Sequence, residues 1–478
     1  MTAADAMEML LLSVLGPALR CDWRLTSAQV AGITTVVFAG MLLGAPVWGA
    51  VSDKRGRWSV SALCFILMAY FGLLCSFAPN YFWLASLRGV VGFNIGGAAT
   101  SFTLLSEYLP QRHRAKVLIL FNLFWGVGST FEILLAYLVL PTLGWRYLVA
   151  FSSLPLILTL PSLWCLPESA RFLLASGKAD EAVKVIDQIA RENGRPLMKG
   201  RPAGISETET RGHIWSLFHT SYRRTTLILF CLWFGIAFSY YGIVLVSSEM
   251  SQLHRQCDRG PALPPGSESV ASNASLVKDN SCCRGLEAED YKAMLISSFG
   301  EFLIIPFNLL TIDWLGRRWT LAINYLLMGV FFGLICLCVP SGVSAAFLLL
   351  ARAHAGGIFK IDYIYTTEVS VPYRNSKHRP RYLLRHGSIR FHERPFVAQV
   401  VLPDVSLFAG FATFALVGIG CAGLSLMLPI ETRGRAMPQS LDVDEIDQGG
   451  QQQQVLSYRP DPDGSSATLE IKIQGKIK

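Results

Sequence analysis

Long apolar stretches recur along the chain at lengths that match membrane-spanning helices. A hydrocarbon layer about 30 Å thick needs about 20 helical residues. We predict ten spans, over residues 28–50, 59–78, 81–107, 114–140, 145–166, 225–248, 291–312, 319–339, 344–368 and 405–428. Two weaker stretches, residues 1–18 and 396–402, would complete a set of twelve. The pattern therefore predicts an all-α membrane protein.

Composition favours a membrane protein over a soluble one, because 52% of the residues are hydrophobic and only 16% are charged. The first ten residues carry two acids and no basic residue, so we predict no cleaved signal peptide. Counted back from Leu19, the first apolar stretch has too few residues to cross the bilayer. We therefore expect a truncated first helix and a chain that begins inside helix one of a longer parent.

Basic residues concentrate in alternate connections between the spans. The connections rich in Lys and Arg are residues 52–58, 110–116, 169–224 and 313–319. This asymmetry places them in the cytosol. The loop over residues 251–290 then faces the extracellular or lumenal side, and it contains a glycosylation sequon at Asn273 and three Cys. We predict that Asn273 is glycosylated.

Four residues of the first half have counterparts 260 to 264 positions later in the chain. The pairs are Asp53 with Asp313, Arg88 with Arg352, Glu107 with Glu368, and Pro167 with Pro429. A near-constant separation indicates two homologous halves, each a six-helix bundle. Parallel repeats of this kind place a substrate site near the membrane midplane, between the halves.

The repeat and the charged linker divide the chain into four parts. We predict an N-terminal transmembrane bundle (1–168), a cytosolic linker with short helices (169–224), a C-terminal transmembrane bundle (225–430) and a cytosolic tail (431–478). The tail has low complexity and no apolar periodicity, so we predict that it is disordered.

Several motifs resemble those of a known family. GAVSDKRGR, over residues 49–57, resembles the loop between helices two and three of the major facilitator superfamily, and DWLGRR, over residues 313–318, resembles its second-half copy. PESAR at 167–171 and PIETRG at 429–434 are similar to the motifs that close each half in sugar and organic-ion porters. The resemblance covers essentially the whole chain. It implies the major facilitator fold, with two six-helix bundles and alternating access to a central site.

Ionisable residues within the spans are costly unless they are paired or hydrated. The resemblance implies that an acid on helix one faces an Arg on helix four, and Asp5 and Arg88 match those places. We predict that Asp5 is a proton-coupling or cation-sensing residue with Arg88 as its partner, and that Glu8 belongs to the same group. The alternative is a static ion pair that packs the helices together. No partner is predicted for Glu132, Glu301, Lys360 and Asp362.

The resemblance also implies a gating latch on the cytosolic side, where charged contacts hold until the halves rock apart. The predicted latch residues are Asp53, Arg57, Glu107, Arg114, Asp313, Arg317 and Glu368. The alternative is that these residues are solvated loop charges that only set the topology.

Aromatic and polar residues within the spans are candidates to line the substrate path. They are Trp233, Tyr240, Tyr241, Asn94 and Asn122. The alternative is that they only pack the helices together. No Cys and His spacing predicts a metal site, and no cofactor is predicted.

A strongly basic segment, residues 373–395, occupies the place where the resemblance implies a Gly-rich helix eleven. The family pattern resumes at Pro395 after about the expected number of residues. A reading-frame slip that later restores itself would produce this result, and we therefore expect a disrupted helix eleven. The alternative is a cytosolic basic loop that contacts anionic lipid.

Two functions of different classes fit the sequence. The first is a secondary active transporter that moves a small organic ion or solute by alternating access, with proton coupling through Asp5. The second is a protein of the same fold that does not transport and acts only as a membrane or vesicle partner, or an impaired product. No nucleophile elbow, P-loop or metal cluster predicts an enzyme. We expect a monomeric multi-pass protein of the plasma membrane or an intracellular vesicle, with a small-molecule substrate and no nucleic acid.

Overall fold

A computed structural model describes residues 2–110, 113–197, 220–246, 286–337, 339–369, 407–432, 456–460 and 467–471. Several predictions concern residues outside this part of the chain. They are the sequon at Asn273, the Cys of the 251–290 loop, the basic segment 373–395 and the weak stretch 396–402.

The described chain is almost entirely helical, and eleven of its helical segments are long and apolar enough to cross a membrane. The helices are α1 (Thr2–Trp23), α2 (Ser27–Arg55), α3 (Arg57–Cys75), α4 (Tyr81–Ile95), α5 (Ala98–Tyr108), α6 (Arg114–Leu120), α7 (Asn122–Leu143), α8 (Trp145–Thr159), α9 (Ala170–Ala175), α10 (Ala179–Glu192), α11 (Thr220–Val246), α12 (Ala288–Trp314), α13 (Arg317–Ile335), α14 (Ser341–Glu368) and α15 (Leu407–Leu426). Helices α4 and α5 form one interrupted span, as do α6 and α7. A 3-10 turn, Leu160–Cys165, extends α8. The predicted all-α membrane protein is confirmed.

The first helix is longer than the sequence pattern predicts. Helix α1 ends at Trp23 and contains 22 residues, which is about 33 Å at about 1.5 Å per residue. The apolar stretch stops earlier, but the helix continues through Pro17 to the polar residues that follow it. Its described length is about that of one crossing of the bilayer.

Local capping fixes where two of the spans begin. Thr26 and Gln29 form a capping box at the start of α2, in which the Thr26 hydroxyl accepts a hydrogen bond from the Gln29 amide at 3.3 Å. Asn80 caps α4 by accepting a hydrogen bond from the Trp83 amide at 3.0 Å. These polar residues stop the apolar runs from merging into one longer helix.

The helices pack into two groups that meet along α7 and α12. In the first group, α2 lies against α4, α3 lies against α4 and α8, and α1 lies against α7. In the second, α13 packs against α14 and α15, and α12 packs against α14. Tyr137 and Tyr291 contact each other across the boundary, with ring centroids 5.6 Å apart. Because both groups contribute to this boundary, residues far apart in sequence line a common space.

Two short segments of the tail are described, and both are β-strands. Strands β1 (Leu456–Pro460) and β2 (Ala467–Ile471) form an antiparallel pair, in which Leu456 lies opposite Ile471. In sequence, apolar and polar residues alternate along both strands, which is the two-residue period of a β-strand. Each strand is only five residues long, so the alternation does not stand out beside the longer polar stretches of the tail.

Candidate functional site

A cavity lies between the two groups of helices. Its volume is about 110 Å³. The lining residues come from both halves of the chain: Thr2, Asp5, Met9, Phe38, Met41, Ile95, Gly96, Ala98, Ala99, Phe102 and Trp125 from the first, and Trp233, Ala237, Tyr241, Phe359, Lys360 and Tyr363 from the second. The break between α4 and α5 contributes Gly96 directly to the wall.

Aromatic rings from opposite halves contact each other across this cavity. The rings of Phe38 and Tyr241 are 4.9 Å apart between centroids, and those of Phe102 and Tyr363 are 5.0 Å apart. Phe102 lies six residues before the end of α5, about 9 Å along the helix axis, so its contact is nearer the predicted cytosolic side. The cavity is therefore bounded by cross-half aromatic contacts at two levels.

Two charged side chains line the cavity, one from each half. Asp5 and Lys360 are each only 7% exposed. The Asp5 Oδ1 atom accepts no hydrogen bond from any described residue, and the Lys360 ammonium lies 4.9 Å above the centre of the Trp125 ring. Within the described chain, no ion pair joins Asp5 to Lys360 directly.

Arg88 forms its ion pair with Glu8. The Arg88 Nη1 to Glu8 Oε2 distance is 2.5 Å, and both side chains are almost fully buried. The prediction that Asp5 is the partner of Arg88 is therefore wrong. Asp5 and Glu8 are three residues apart on α1, and the rotation of that helix turns Glu8 towards α4 and Asp5 towards the cavity.

A second buried ion pair lies in the other half, between Glu301 and Arg352. Arg352 Nε lies 3.2 Å from Glu301 Oε1, and both side chains are fully buried. The Tyr240 hydroxyl donates to the same Glu301 oxygen at 2.8 Å, and the Trp125 indole donates to the Tyr240 hydroxyl. This chain of hydrogen bonds connects α7 of the first half to a charged pair of the second.

Two further buried acids, Glu132 and Asp362, are not among the residues that line the cavity. Glu132 accepts a hydrogen bond from the Ser152 hydroxyl at 2.7 Å. Asp362 accepts one from the Tyr325 hydroxyl at 2.9 Å. Asp362 therefore lies on a different face of α14 from Lys360, as their two-residue spacing requires.

The structure brings two of the five predicted path residues to the cavity. Trp233 and Tyr241 line it, whereas Tyr240 lies behind the wall. The Asn94 amide donates to the Val90 carbonyl of its own helix at 2.9 Å. The Asn122 amide donates to the Glu301 carbonyl at 3.4 Å, which joins α7 to α12.

Sequence reasoning missed most of the aromatic wall. The missed rings are Phe38, Phe102, Trp125, Phe359 and Tyr363. Their signal is weak, because an aromatic residue within a span is more often a packing residue than a ligand contact. The four-residue spacing of Phe359 and Tyr363, with Lys360 between them, does place all three near one face of α14.

The predicted latch residues of the first half gather around the start of α3. We define the first charge cluster as Gly56, Arg57, Glu107, Glu168 and Ser169. Glu168 Oε1 accepts hydrogen bonds from the backbone amide of Arg57 at 2.9 Å and from that of Trp58 at 3.1 Å. Arg57 lies 3.7 Å from Glu107, whose other oxygen accepts from the Ser169 hydroxyl.

Arg57 also contacts Asp53, at 3.8 Å. The Glu168 carboxylate binds the first amides of α3, so both hydrogen bonding and the helix dipole stabilise its negative charge. Arg114, by contrast, donates to the carbonyls of Ser106 at 3.0 Å and Leu109 at 3.1 Å.

The second half repeats this arrangement. We define the second charge cluster as Gly316, Arg317, Glu368, Glu431 and Thr432. Glu431 accepts from the Arg317 amide at 2.9 Å, and the Arg317 guanidinium binds Glu368 through two hydrogen bonds of 2.8 and 2.9 Å. The Thr432 hydroxyl donates to Glu368 at 2.6 Å. The sequence repeat is thus also a repeat of side-chain contacts.

Glycine is required at the same place in both clusters. Gly56 has φ of +107° and Gly316 has φ of +85°, a backbone region that other residues rarely adopt. A Cβ atom on Gly56 would lie 2.0 Å from Glu168 Oε2. The glycine therefore makes room for the carboxylate that binds the helix start.

Each charge cluster lies within one half, so its ion pairs do not themselves connect the halves in this structure. Of the predicted latch residues, Asp313 forms the direct ion pair across the boundary. Its partner is Lys116, with a distance of 2.8 Å between Asp313 Oδ2 and Lys116 Nζ. Sequence reasoning did not single out Lys116, because nothing in a basic loop marks one Lys as the contact.

Comparisons with known proteins agree with this architecture. A family model described as Major Facilitator Superfamily matches residues 1–260. The synaptic vesicle 2-related protein of Xenopus laevis is 40% identical over 441 residues, which is 91% of this chain and 78% of that protein. The Mus musculus protein SVOPL is 35% identical over 439 residues, covering 91% of this chain and 87% of its own length.

Solved structures show the same fold at much lower identity. The xylose transporter XylE from E. coli, in a partially occluded inward-open conformation, superposes with a TM-score of 0.61 at 14% identity, covering 90% of this chain and 99% of that one. The proton:xylose symporter XylE bound to 6-bromo-6-deoxy-D-glucose gives a TM-score of 0.59 at 15% identity, covering 91% and 96%. The family model over residues 1–260 and the relatives at 35–40% identity show that the chain belongs to the major facilitator superfamily.

Proposed function

We propose that this protein is a secondary active transporter that moves a small organic ion or solute across the membrane by alternating access. The observation that carries the proposal is the cavity between the halves, to which each half contributes aromatic residues and one charged residue. A site built from both halves changes its access when they rock relative to each other. The membrane is the plasma membrane or that of an intracellular vesicle.

Contacts between the halves close the cavity on both sides, and each set of contacts forms one gate. The Phe102–Tyr363 contact and the Lys116–Asp313 ion pair close the predicted cytosolic side. The Phe38–Tyr241 contact lies on the other level. Opening one level requires its cross-half contacts to separate while the two charge clusters, which lie inside the halves, keep each bundle intact.

Asp5 is the proposed coupling residue. Its carboxylate faces the cavity and has an oxygen without a hydrogen-bond donor among the described residues. A change of its charge alters the electrostatic balance with Lys360 across the boundary. Glu8 and Arg88 form the ion pair that holds α1 against α4, which assigns them a supporting role.

Alternating access is tested by labelling a cysteine in the cavity from each side of a membrane. We would introduce Ala99→Cys into the full chain, apply a membrane-impermeant thiol reagent to vesicles of known orientation, and quantify the labelled peptide by mass spectrometry. A transporter exposes the introduced thiol to both sides over time. Ala136→Cys is the control, because Ala136 is fully buried within the first half and does not line the cavity.

Labelling of Ala99→Cys from one side alone would contradict the proposal. That result favours the second function, a protein of this fold that does not transport and acts as a membrane or vesicle partner. Labelling of the Ala136→Cys control would show that the bundle itself opens, and the labelling of both variants would then be compared at lower temperature in the same vesicles.

A further inference from the structure

Most charged side chains inside the membrane have a direct partner, but two that line the cavity form no direct ion pair among the described residues. Glu8 is paired with Arg88, and Glu301 is paired with Arg352. Glu132 and Asp362 each accept a hydrogen bond from a hydroxyl and lie off the cavity wall. Asp5 and Lys360 remain, and both line the cavity.

Asp5 and Lys360 do not contact each other directly, and their charges interact only at longer range. They lie on opposite sides of the boundary between the halves, and no direct ion pair between them is formed in the described chain. Both are more than nine-tenths buried, so water compensates their charges poorly. A bound molecule that carries opposite charges in the complementary order would compensate both at once.

The rest of the wall is predominantly apolar and aromatic. Phe38, Phe102, Trp125, Trp233 and Phe359 present ring faces or edges to the space. Such rings bind an apolar body by burial and stacking, and they also bind a cation through the ring face. The wall thus offers an apolar compartment between one acidic and one basic side chain.

We propose that the cavity binds a small zwitterion, with its ammonium group at Asp5, its carboxylate at Lys360 and an apolar body among the aromatic rings. This inference rests on the proposed transport function and names its substrate class. A neutral, hydroxyl-rich solute fits less well, because it would leave both charges without a direct partner of opposite charge. An ion with one charge would compensate only one of the two side chains.

The test uses two sets of three probes, in which each set shares one apolar body. The first set is phenylalanine, phenethylamine and 3-phenylpropanoate; the second is leucine, 3-methylbutylamine and 4-methylpentanoate. Binding to the purified full chain is measured as the concentration dependence of its thermal unfolding midpoint. In at least one set, we expect the zwitterion to bind about tenfold or more tightly than either single-charge probe, a difference of about 1.4 kcal/mol.

Two charge variants assign each end of the ligand. Asp5→Asn should remove the advantage of phenylalanine over 3-phenylpropanoate and keep its advantage over phenethylamine. Lys360→Gln should do the reverse. Lys184→Gln, on α10 outside the spans, is the control and should leave the ranking unchanged. If Lys360→Gln does not give folded protein, Lys360→Arg should keep the wild-type ranking.

The inference is overturned if the wild-type protein ranks a single-charge probe first in both sets, binds all three equally, or is stabilised by none. It is also overturned if the two charge variants change the ranking identically. Failure of the transport proposal is distinguishable, because a protein labelled from one side only in the cysteine experiment can still show the zwitterion ranking. Conversely, labelling from both sides with a single-charge preference keeps transport and rejects this substrate class.

Discussion

Glu168 and Glu431 occupy equivalent places, and each accepts hydrogen bonds from the first backbone amides of a span. Glu168 binds the start of α3 and Glu431 binds the start of α13. The first amides of a helix have no partner within the helix, so a carboxylate there satisfies groups that would otherwise be exposed or unpaired. The contact depends on one side chain in each half.

Glu168→Ala should destabilise the protein by about 1 kcal/mol, because it removes a charged cap from α3. The measurement is the thermal unfolding midpoint of the purified protein in detergent. Glu181→Ala is the matched control, since Glu181 is exposed and, among the described residues, pairs with Lys178 three residues away. That control should change stability by less than about 0.5 kcal/mol, and an equal loss in both variants would contradict the role of Glu168.

Glu8→Gln should cost about 3–5 kcal/mol, because it leaves the Arg88 guanidinium charged, buried and without its partner. The double variant Glu8→Gln with Arg88→Met should regain most of this loss, since it removes both charges. Thermal unfolding of the two variants and the wild type measures the recovery. A double variant as unstable as the sum of the two single variants would show that the pair does not act as a unit.

The sequence predicts which charged residues lie inside the membrane, but it does not predict which of them form ion pairs with each other. Asp5 and Glu8 are less than one helical turn apart, so the choice of partner for Arg88 depends on the rotation of α1. That rotation is set by packing against α7 and α8. The prediction of Asp5 was chemically reasonable and geometrically wrong for this reason.

At the scale of the elements, α2 and α4 pack with their backbones in close contact. A Cβ atom on Gly92 of α4 would lie 2.1 Å from the Val37 carbonyl oxygen of α2. Phe38, next to Val37, lines the cavity. The approach of these two helices therefore helps to fix one wall of the site.

Gly92→Val should destabilise the protein by about 1–3 kcal/mol or prevent folding, because backbone atoms cannot move aside as a side chain does. Gly420→Ala on α15 is the control, since a Cβ atom there meets nothing within 4 Å. That change should be neutral or stabilising by about 0.5–1 kcal/mol. Yield of monodisperse protein and the unfolding midpoint together measure both variants, and normal stability of Gly92→Val would contradict the close packing.

The elements were the most predictable feature of the molecule. Spans of about 20 apolar residues leave little choice but a helix, because backbone groups in lipid must bond within the segment. The end of α1 and the β-hairpin of the tail were less predictable. Polar residues continue α1 beyond its apolar stretch, and the alternation in the tail covers only five residues in each strand.

At the scale of the whole molecule, the ion pair that joins the halves on the predicted cytosolic side is of modest strength. Lys116 and Asp313 are each about half exposed, at 50% and 46%, so their ion pair contributes about 0–1 kcal/mol. A weak contact suits a gate that must open repeatedly. It was not predictable from sequence, because it depends on how the two bundles are placed relative to each other.

Lys116→Glu should shift the protein towards a conformation open on the predicted cytosolic side, by up to about fivefold in population, since like charges replace the ion pair. The distance distribution between spin labels at Lys54→Cys and Trp319→Cys measures this shift. The exchanged pair Lys116→Asp with Asp313→Lys should restore the wild-type distribution. An unchanged distribution in Lys116→Glu at low salt, where screening is weakest, would show that the pair has no gating role.

In the first charge cluster, the residues that follow α8 bind the start of α3. In the second, the residues that follow α15 bind the start of α13. Force applied along the linker after Ser169 reaches the contacts of Glu168 before it reaches any residue of the cavity. Thr432 and Glu431 stand in the same position ahead of the tail. Tension applied at the Ser169 end of the linker or at the Thr432 end of the tail is therefore borne first by these contacts at the membrane surface, and not by the residues around Asp5 and Lys360.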